Sequence, residues 1–170
     1  AASKGFSVVG YHNNAELIAA IDKGELQVVE PGLDEMFAAN RERITFSAEP
    51  ESLSGCDVVY VAVDVPTDDE GKSDLSPIEA MIETVTPHLN DSAILVILCQ
   101  VPPGFTRGKC LSDEQLFYQV ETLIFGRAVE RATQPERFII GCADPQEPLP
   151  QSYENFLGAF GCPLLPMGYE

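Results

Sequence analysis

Four short stretches carry side chains able to do chemistry: His12-Asn13, Asp64 to Thr67, Gln100 to Gly104, and Glu121 onward. Each follows directly on an apolar run, so each sits where a strand hands over to a loop. The set comprises an imidazole, amides, hydroxyls and carboxylates. These are donors and acceptors for a ligand's hydroxyls. A neutral imidazole has one donor and one acceptor, so His12 either meets a ligand hydroxyl or caps the helix after it. Arg107 offers a planar fork that suits a phosphate, or equally a surface ion pair. The run Asp68-Asp69-Glu70 lies in a loop ending at Gly71 and reads as solvated rather than as a metal site.

The elements that position these residues alternate along the chain. Phe6 to Tyr11 reads as a strand. Asn13 or Asn14 then caps a helix over Ala15 to Ile21, which stops at Gly24. Leu33 to Arg41 is a second helix after Pro31-Gly32, and Ile44 to Phe46 a short strand. Asp57 to Val63 and Ala93 to Leu98 are nearly continuous in apolar residues, as in strands covered on both faces. Between them Ser76 caps, and Pro77 begins, a helix that carries on from Ile78 to His88. Further strands fall at Phe117 to Val120, Arg137 to Ile140 and Pro163 to Leu165, with a helix over Tyr153 to Phe160. This alternation predicts an α/β domain with a doubly wound, mostly parallel sheet, and in such sheets ligands sit beyond the strands' carboxyl ends.

Composition narrows the function classes. The 170 residues suit one domain, with no internal repeat, low-complexity tract or interior linker. The net charge of −17, from 27 acidic against 10 basic residues, repels phosphate backbones and anionic lipid, which argues against nucleic acid and membrane partners. No apolar run approaches the roughly 20 residues that span a bilayer. The five cysteines (Cys56, Cys99, Cys110, Cys142 and Cys162) form no Cys-x-x-Cys pair, and there are two histidines, so no metal site is expected. Reduced thiols in a cytoplasmic protein follow, with Cys99 as a core residue rather than a nucleophile.

Five ordered segments carry a resemblance. They are Glu30-Pro31-Gly32-Leu33; Pro66-Thr67 with Gly71 and Asp74-Leu75-Ser76; Val101-Pro102-Pro103-Gly104; Glu121 to Val129; and Pro135-Glu136-Arg137 with Ile140-Gly141. In order and spacing the chain resembles the UDP-glucose/GDP-mannose dehydrogenase family. That resemblance implies a Rossmann-like fold that binds NAD, in an enzyme that oxidises the C6 alcohol of a UDP- or GDP-sugar to the carboxylate in two steps. It implies cofactor contacts at His12, Val63, Val65, Pro66, Thr67 and Gln100. Glu121 is implied as the catalytic carboxylate, and Glu121, Thr122, Leu123 and Arg107 as the substrate side. Residues 1–170 are then a single NAD-binding domain incomplete at both ends, inactive alone, from a parent that pairs as a homodimer. In the family the nucleophilic cysteine lies in a second domain.

Several positions depart from the family pattern. There is no Gly-x-Gly-x-x-Gly turn, and Ala1 to Gly5 resembles the last turn of the helix that follows it. Loss of the preceding strand, central in such sheets, leaves two unpaired edges. His12 stands where an acid usually meets the ribose, and with no basic neighbour to greet a 2′-phosphate, NAD is favoured over NADP. Val65 replaces a threonine, Cys99-Gln100 a Ser-Thr pair, and Phe125 a second glutamate. These departures keep a second reading open, a nucleotide-binding module of the same fold without catalysis; a related hydroxyacid dehydrogenase is a more distant third. Met167 to Glu170 resembles the start of the family's linking helix.

Overall fold

A computed structural model describes residues 1–109 and 111–169; Cys110 and Glu170 lie outside the described residues. The strands are β1 (Val8–Tyr11), β2 (Ile44–Ser47), β3 (Val58–Val61), β4 (Ile94–Ile97), β5 (Leu116–Gln119), β6 (Phe138–Cys142) and β7 (Leu164–Gly168). The helices are α1 (Ala15–Asp22), α2 (Leu33–Ala39), α3 (Ser76–Val85), α4 (Ala128–Thr133) and α5 (Gln151–Gly158). The architecture is Rossmann-like α/β, as expected, but the strands divide into two sheets. One has the order β1-β2 and the other β3-β4-β5-β6-β7. All pairings are parallel except that of β5 with β6. Among the described residues β1 and β2 pair only with each other, β3 only with β4 and β7 only with β6, so four strand edges carry unused ladder groups.

The core is built around β4, whose four residues are all buried. Side chains alternate across a strand, so Leu95 and Ile97 face one side and Ile94 and Val96 the other. The first pair packs with Ile78, Ile82 and Val85, one stripe of α3. The second packs with Tyr153 and Leu157, one stripe of α5. A helix covers each face of the sheet, which is why β4 needs no polar face. Removing one such side chain from water is worth about 1.5–3 kcal/mol. The second cluster closes on a polar knot: Gln119 Oε1 accepts from Tyr60 Oη at 2.8 Å and Tyr153 Oη at 3.1 Å. Burial pushes both phenols well above the usual tyrosine range.

Arg41 ties the smaller sheet to its helices. Its guanidinium donates to Ile44 O at 2.6 Å, pairs with Asp22 at the end of α1, and lies over the Phe37 and Phe46 rings. A chain of rings from Phe6 through Phe156 to Tyr60, with centroids 5.1 Å and 5.7 Å apart, links the approach to β1 with α5 and β3.

Three local expectations need correcting. Ser76 is the first residue of α3 rather than its cap; Asp74 Oδ1 accepts from the Ser76 amide at 3.0 Å and hydroxyl at 2.7 Å. These bonds hold the Asp74 carboxyl below the usual range. The helix also ends at Val85, because a tighter turn over Thr86–His88 follows, with Pro87 in it. Met167 and Gly168 do not begin a helix but finish β7, in register with Gly141 and Cys142.

Candidate functional site

The loops after β1, β3, β4 and β5 are where the candidate residues fall. Those after the first three share a floor: Tyr11, Val63, Val65 and Val101 pack with Tyr118 of β5 against the same buried cluster. Tyr11 and Val63 thus rest on one buried cluster, although among the described residues no backbone pairing joins β1 to β3.

His12 follows β1 directly, and its backbone amide continues the ladder to Ser47 O at 3.2 Å. Its Nδ1 accepts from the Asn14 amide at 3.0 Å, and Asn14 Oδ1 accepts from the Glu16 and Leu17 amides. Asn14 is therefore the cap of α1, and His12 braces that cap. With Nδ1 accepting, a neutral ring carries its proton on Nε2, which is left as a donor. Bracing the helix and donating to a hydroxyl are thus compatible in one side chain.

Beyond β3 the backbone runs without regular structure through Val63, Val65 and Pro66 to Thr67. Val63 and Val65 are half-buried, whereas Pro66 and Thr67 are exposed. The loop folds on itself: Thr67 bridges Ser73, with the two hydroxyls 3.2 Å apart, and Asp74 N donates to Pro66 O at 2.8 Å. Asp68 Oδ1 accepts from the Glu70 amide at 3.0 Å and the Lys72 amide at 2.8 Å, so its charge holds a turn.

Cys99, buried past the end of β4, fastens these strand ends. Its Sγ donates to Val61 O at 3.2 Å and accepts from the Val63 amide at 3.1 Å. Burial pushes its thiol up, which suits a structural thiol rather than a nucleophile. Gln100 follows it and is exposed.

The turn over Val101 to Gly104 borders a small cleft of about 110 Å³ with Thr106, Tyr118 and Tyr169. Arg107 lies over the Tyr169 ring, 5.2 Å from its centroid, while Tyr169 Oη donates to Leu116 O at 2.7 Å. The sequence had pointed to Arg107 but not to Tyr118 or Tyr169. Tyr118 reads as a strand residue, and Tyr169 reaches the cleft only because β7 returns beside β6. A larger groove between α1 and α2 lies apart from the strand-end loops.

Glu121, Thr122 and Leu123 lie two to four residues beyond β5, all exposed. The Glu121 carboxylate turns back onto the Leu123 amide. The residues of this chain leave the Glu121 side chain exposed. Phe125 is 93% exposed at the tip of the following turn. Among the described residues no three His, Cys, Asp or Glu side chains converge as metal ligands.

Loops at the strand ends of a mostly parallel α/β sheet are where nucleotide-binding domains of this architecture hold their ligand. The chain belongs to the UDP-glucose/GDP-mannose dehydrogenase family, with residues 1–156 matching its NAD binding domain. The UDP-glucose 6-dehydrogenase of Pseudomonas aeruginosa is 31% identical over 173 residues, a match covering 92% of this chain and 38% of that protein. The UDP-N-acetyl-D-mannosamine dehydrogenase of Pyrococcus horikoshii is 32% identical over 109 residues, covering 62% of this chain and 25% of that protein. Among solved structures, a GDP-mannose dehydrogenase from Pseudomonas aeruginosa superposes with a TM-score of 0.83 at 19% identity, over 99% of this chain and 42% of that one. A UDP-glucose dehydrogenase from Pyrobaculum islandicum gives 0.81 at 26% identity, over 98% and 42%. The chain spans about two fifths of the length of the first curated relatives it matches.

Proposed function

We propose that this chain is the NAD-binding portion of an oxidoreductase that oxidises the C6 alcohol of a UDP- or GDP-sugar to the carboxylate. The observation that carries the reading is the family match over residues 1–156, on a fold that gathers the strand-end loops along one edge. NAD, when bound, takes up the hydride that leaves the sugar's C6 carbon. The residues present fit the ribose and nicotinamide side of a dinucleotide. His12 Nε2 is a donor placed for a ribose hydroxyl, Val63 and Val65 give a half-buried apolar floor, and Pro66, Thr67 and Gln100 supply the loop edges above it. No residue of this chain is assigned to the pyrophosphate. Arg107 and the Glu121 to Leu123 segment form the side where a sugar nucleotide enters, with Glu121 as the carboxylate that orients water in the second oxidation.

Completing the reaction calls on parts beyond these residues, including a nucleophile, and on burial of Glu121 by another surface. We take the parent enzyme to be a cytoplasmic homodimer. No helix among the described residues is long and apolar enough to cross a membrane. One observation favours the second reading, a nucleotide-binding module without catalysis: the exposed Phe125 ring stands where the family pattern has a glutamate.

Calorimetric titration of the intact protein with NAD and with NADP tests the cofactor assignment. NAD is expected to bind the more tightly, because His12 has no basic neighbour to accept a 2′-phosphate. Tighter binding of NADP overturns it.

A further inference from the structure

The segment Glu30-Pro31-Gly32-Leu33 has no part in the site described above, yet its first residue reaches into the loop that carries Glu121. Leu33 N donates to Glu30 O at 3.1 Å, closing a turn with Pro31 second and Gly32 third at φ 78°. Proline fixes the first corner of such a turn and glycine tolerates the left-handed second. A matching turn closes 94 residues later, where Arg127 N donates to Ile124 O at 2.9 Å around Gly126, also at φ 78°. The Glu30 carboxylate joins the two. Its Oε1 accepts from the Gly126 amide at 2.9 Å and its Oε2 from the Ala128 amide at 3.2 Å. Both oxygens of one charged group are thus spent on backbone donors of a remote loop, and hydrogen bonds to an ionised acceptor are stronger than neutral ones.

We propose that Glu30 is a positioning residue for the sugar-nucleotide side of the site, holding the 121–127 loop in place through the Gly126 and Ala128 amides. The inference rests on the dehydrogenase reading above and extends it to a residue outside the strand-end loops. Five exposed residues, Glu121 to Phe125, separate Val120 from Gly126. Little buried surface holds this segment, so it depends on hydrogen bonds for its shape. Glu121 is bonded within the loop to Leu123, and Glu30 supplies the anchor from outside it. Losing the anchor leaves Glu121 intact but free to wander from the position a substrate requires.

The test compares Glu30→Ala and Glu30→Gln with the unaltered intact protein in two measurements: amide hydrogen exchange across residues 126–128, and calorimetric affinities for UDP-glucose and NAD. Glu30→Ala is expected to speed exchange there and to weaken UDP-glucose binding about tenfold, the scale of losing a charge-assisted bond. NAD affinity should stay within about twofold. Glu30→Gln keeps one acceptor oxygen and should restore part of both effects. Unchanged exchange in Glu30→Ala overturns the clamp. Equal weakening of NAD and UDP-glucose overturns the positioning role, since general loosening of the fold touches both ligands. If the unaltered protein binds neither ligand, the dehydrogenase reading fails and takes the positioning role with it, while the exchange data still decide the clamp.

Discussion

The first strand of the smaller sheet and the central strand of the larger are both rich in apolar residues, yet they differ sharply in burial. In the five-stranded sheet β4 is buried along its whole length, and α3 and α5 cover the two faces. In the two-stranded sheet none of the four residues of β1 is fully buried, although Val8, Val9 and Tyr11 are as apolar as those of β3. Neighbours, not composition, make the difference. A strand paired on both sides and roofed by helices buries what it carries. One left with an open edge depends on outlying contacts, such as the Phe6 to Phe156 stack and the Arg41 tie. The smaller sheet still holds the His12 corner of the candidate cofactor site. Part of that site therefore stands on the less firmly held of the two sheets.

The sharpest way to break this comparison is a matched pair of core deletions. Leu95→Ala, in β4, is expected to cost about 2–5 kcal/mol, because a fully buried leucine leaves a cavity that α3 cannot fill. Val9→Ala, in β1, should cost less than about 1 kcal/mol, since its side chain already meets solvent. Denaturant unfolding of the two variants checks this, and similar losses would mean that the smaller sheet is as well sealed as the larger.

A smaller effect sharpens the comparison within the larger sheet. Gln119→Leu removes the single oxygen that the half-buried Tyr60 and the buried Tyr153 phenols share, leaving both without that acceptor. The expected cost is about 1–3 kcal/mol, the penalty for orphaned buried hydroxyls. Adding Tyr153→Phe to Gln119→Leu should recover part of it, read from the same unfolding curves. If the single change costs nothing, water fills the gap and the knot is not dry.

The strands were legible in the sequence because their apolar runs are short, β-branched and bounded by turn residues; Asp57 to Val63 and Ala93 to Leu98 each contain a strand. Their pairing was legible in part. Nothing local says that β1 and β2 stand in a sheet apart from the other five strands. What escaped was set by contacts distant in sequence or by short local bonds. α4, six residues long, carries too few turns for its period to show. Ser76 looked like a cap because Pro77 follows it, yet the carboxylate two residues earlier holds the helix start. Met167 and Gly168 became strand because β6 offered them a partner.

The candidate site divides the same way. His12, Gln100 and Glu121 were visible as polar residues just past apolar runs and follow β1, β4 and β5 closely, whereas Arg107, read from the loop after Gly104, lies ten residues beyond β4. Tyr169 and Glu30 were not, because their meaning lies in partners many residues away. The proline-glycine turn at Glu30 was plain to read, but nothing local says that its carboxylate reaches Gly126.

The most direct test of the central claim is spectroscopic. The intact protein is mixed with NAD and, in turn, UDP-glucose, UDP-N-acetylmannosamine and GDP-mannose, and NADH is followed by its near-ultraviolet absorbance. Oxidation of an alcohol through to a carboxylate removes two hydrides, so about two NADH should form for each sugar nucleotide consumed with at least one of the three. No NADH with any of them, from protein that binds NAD, would contradict the dehydrogenase reading and leave a nucleotide-binding module in its place.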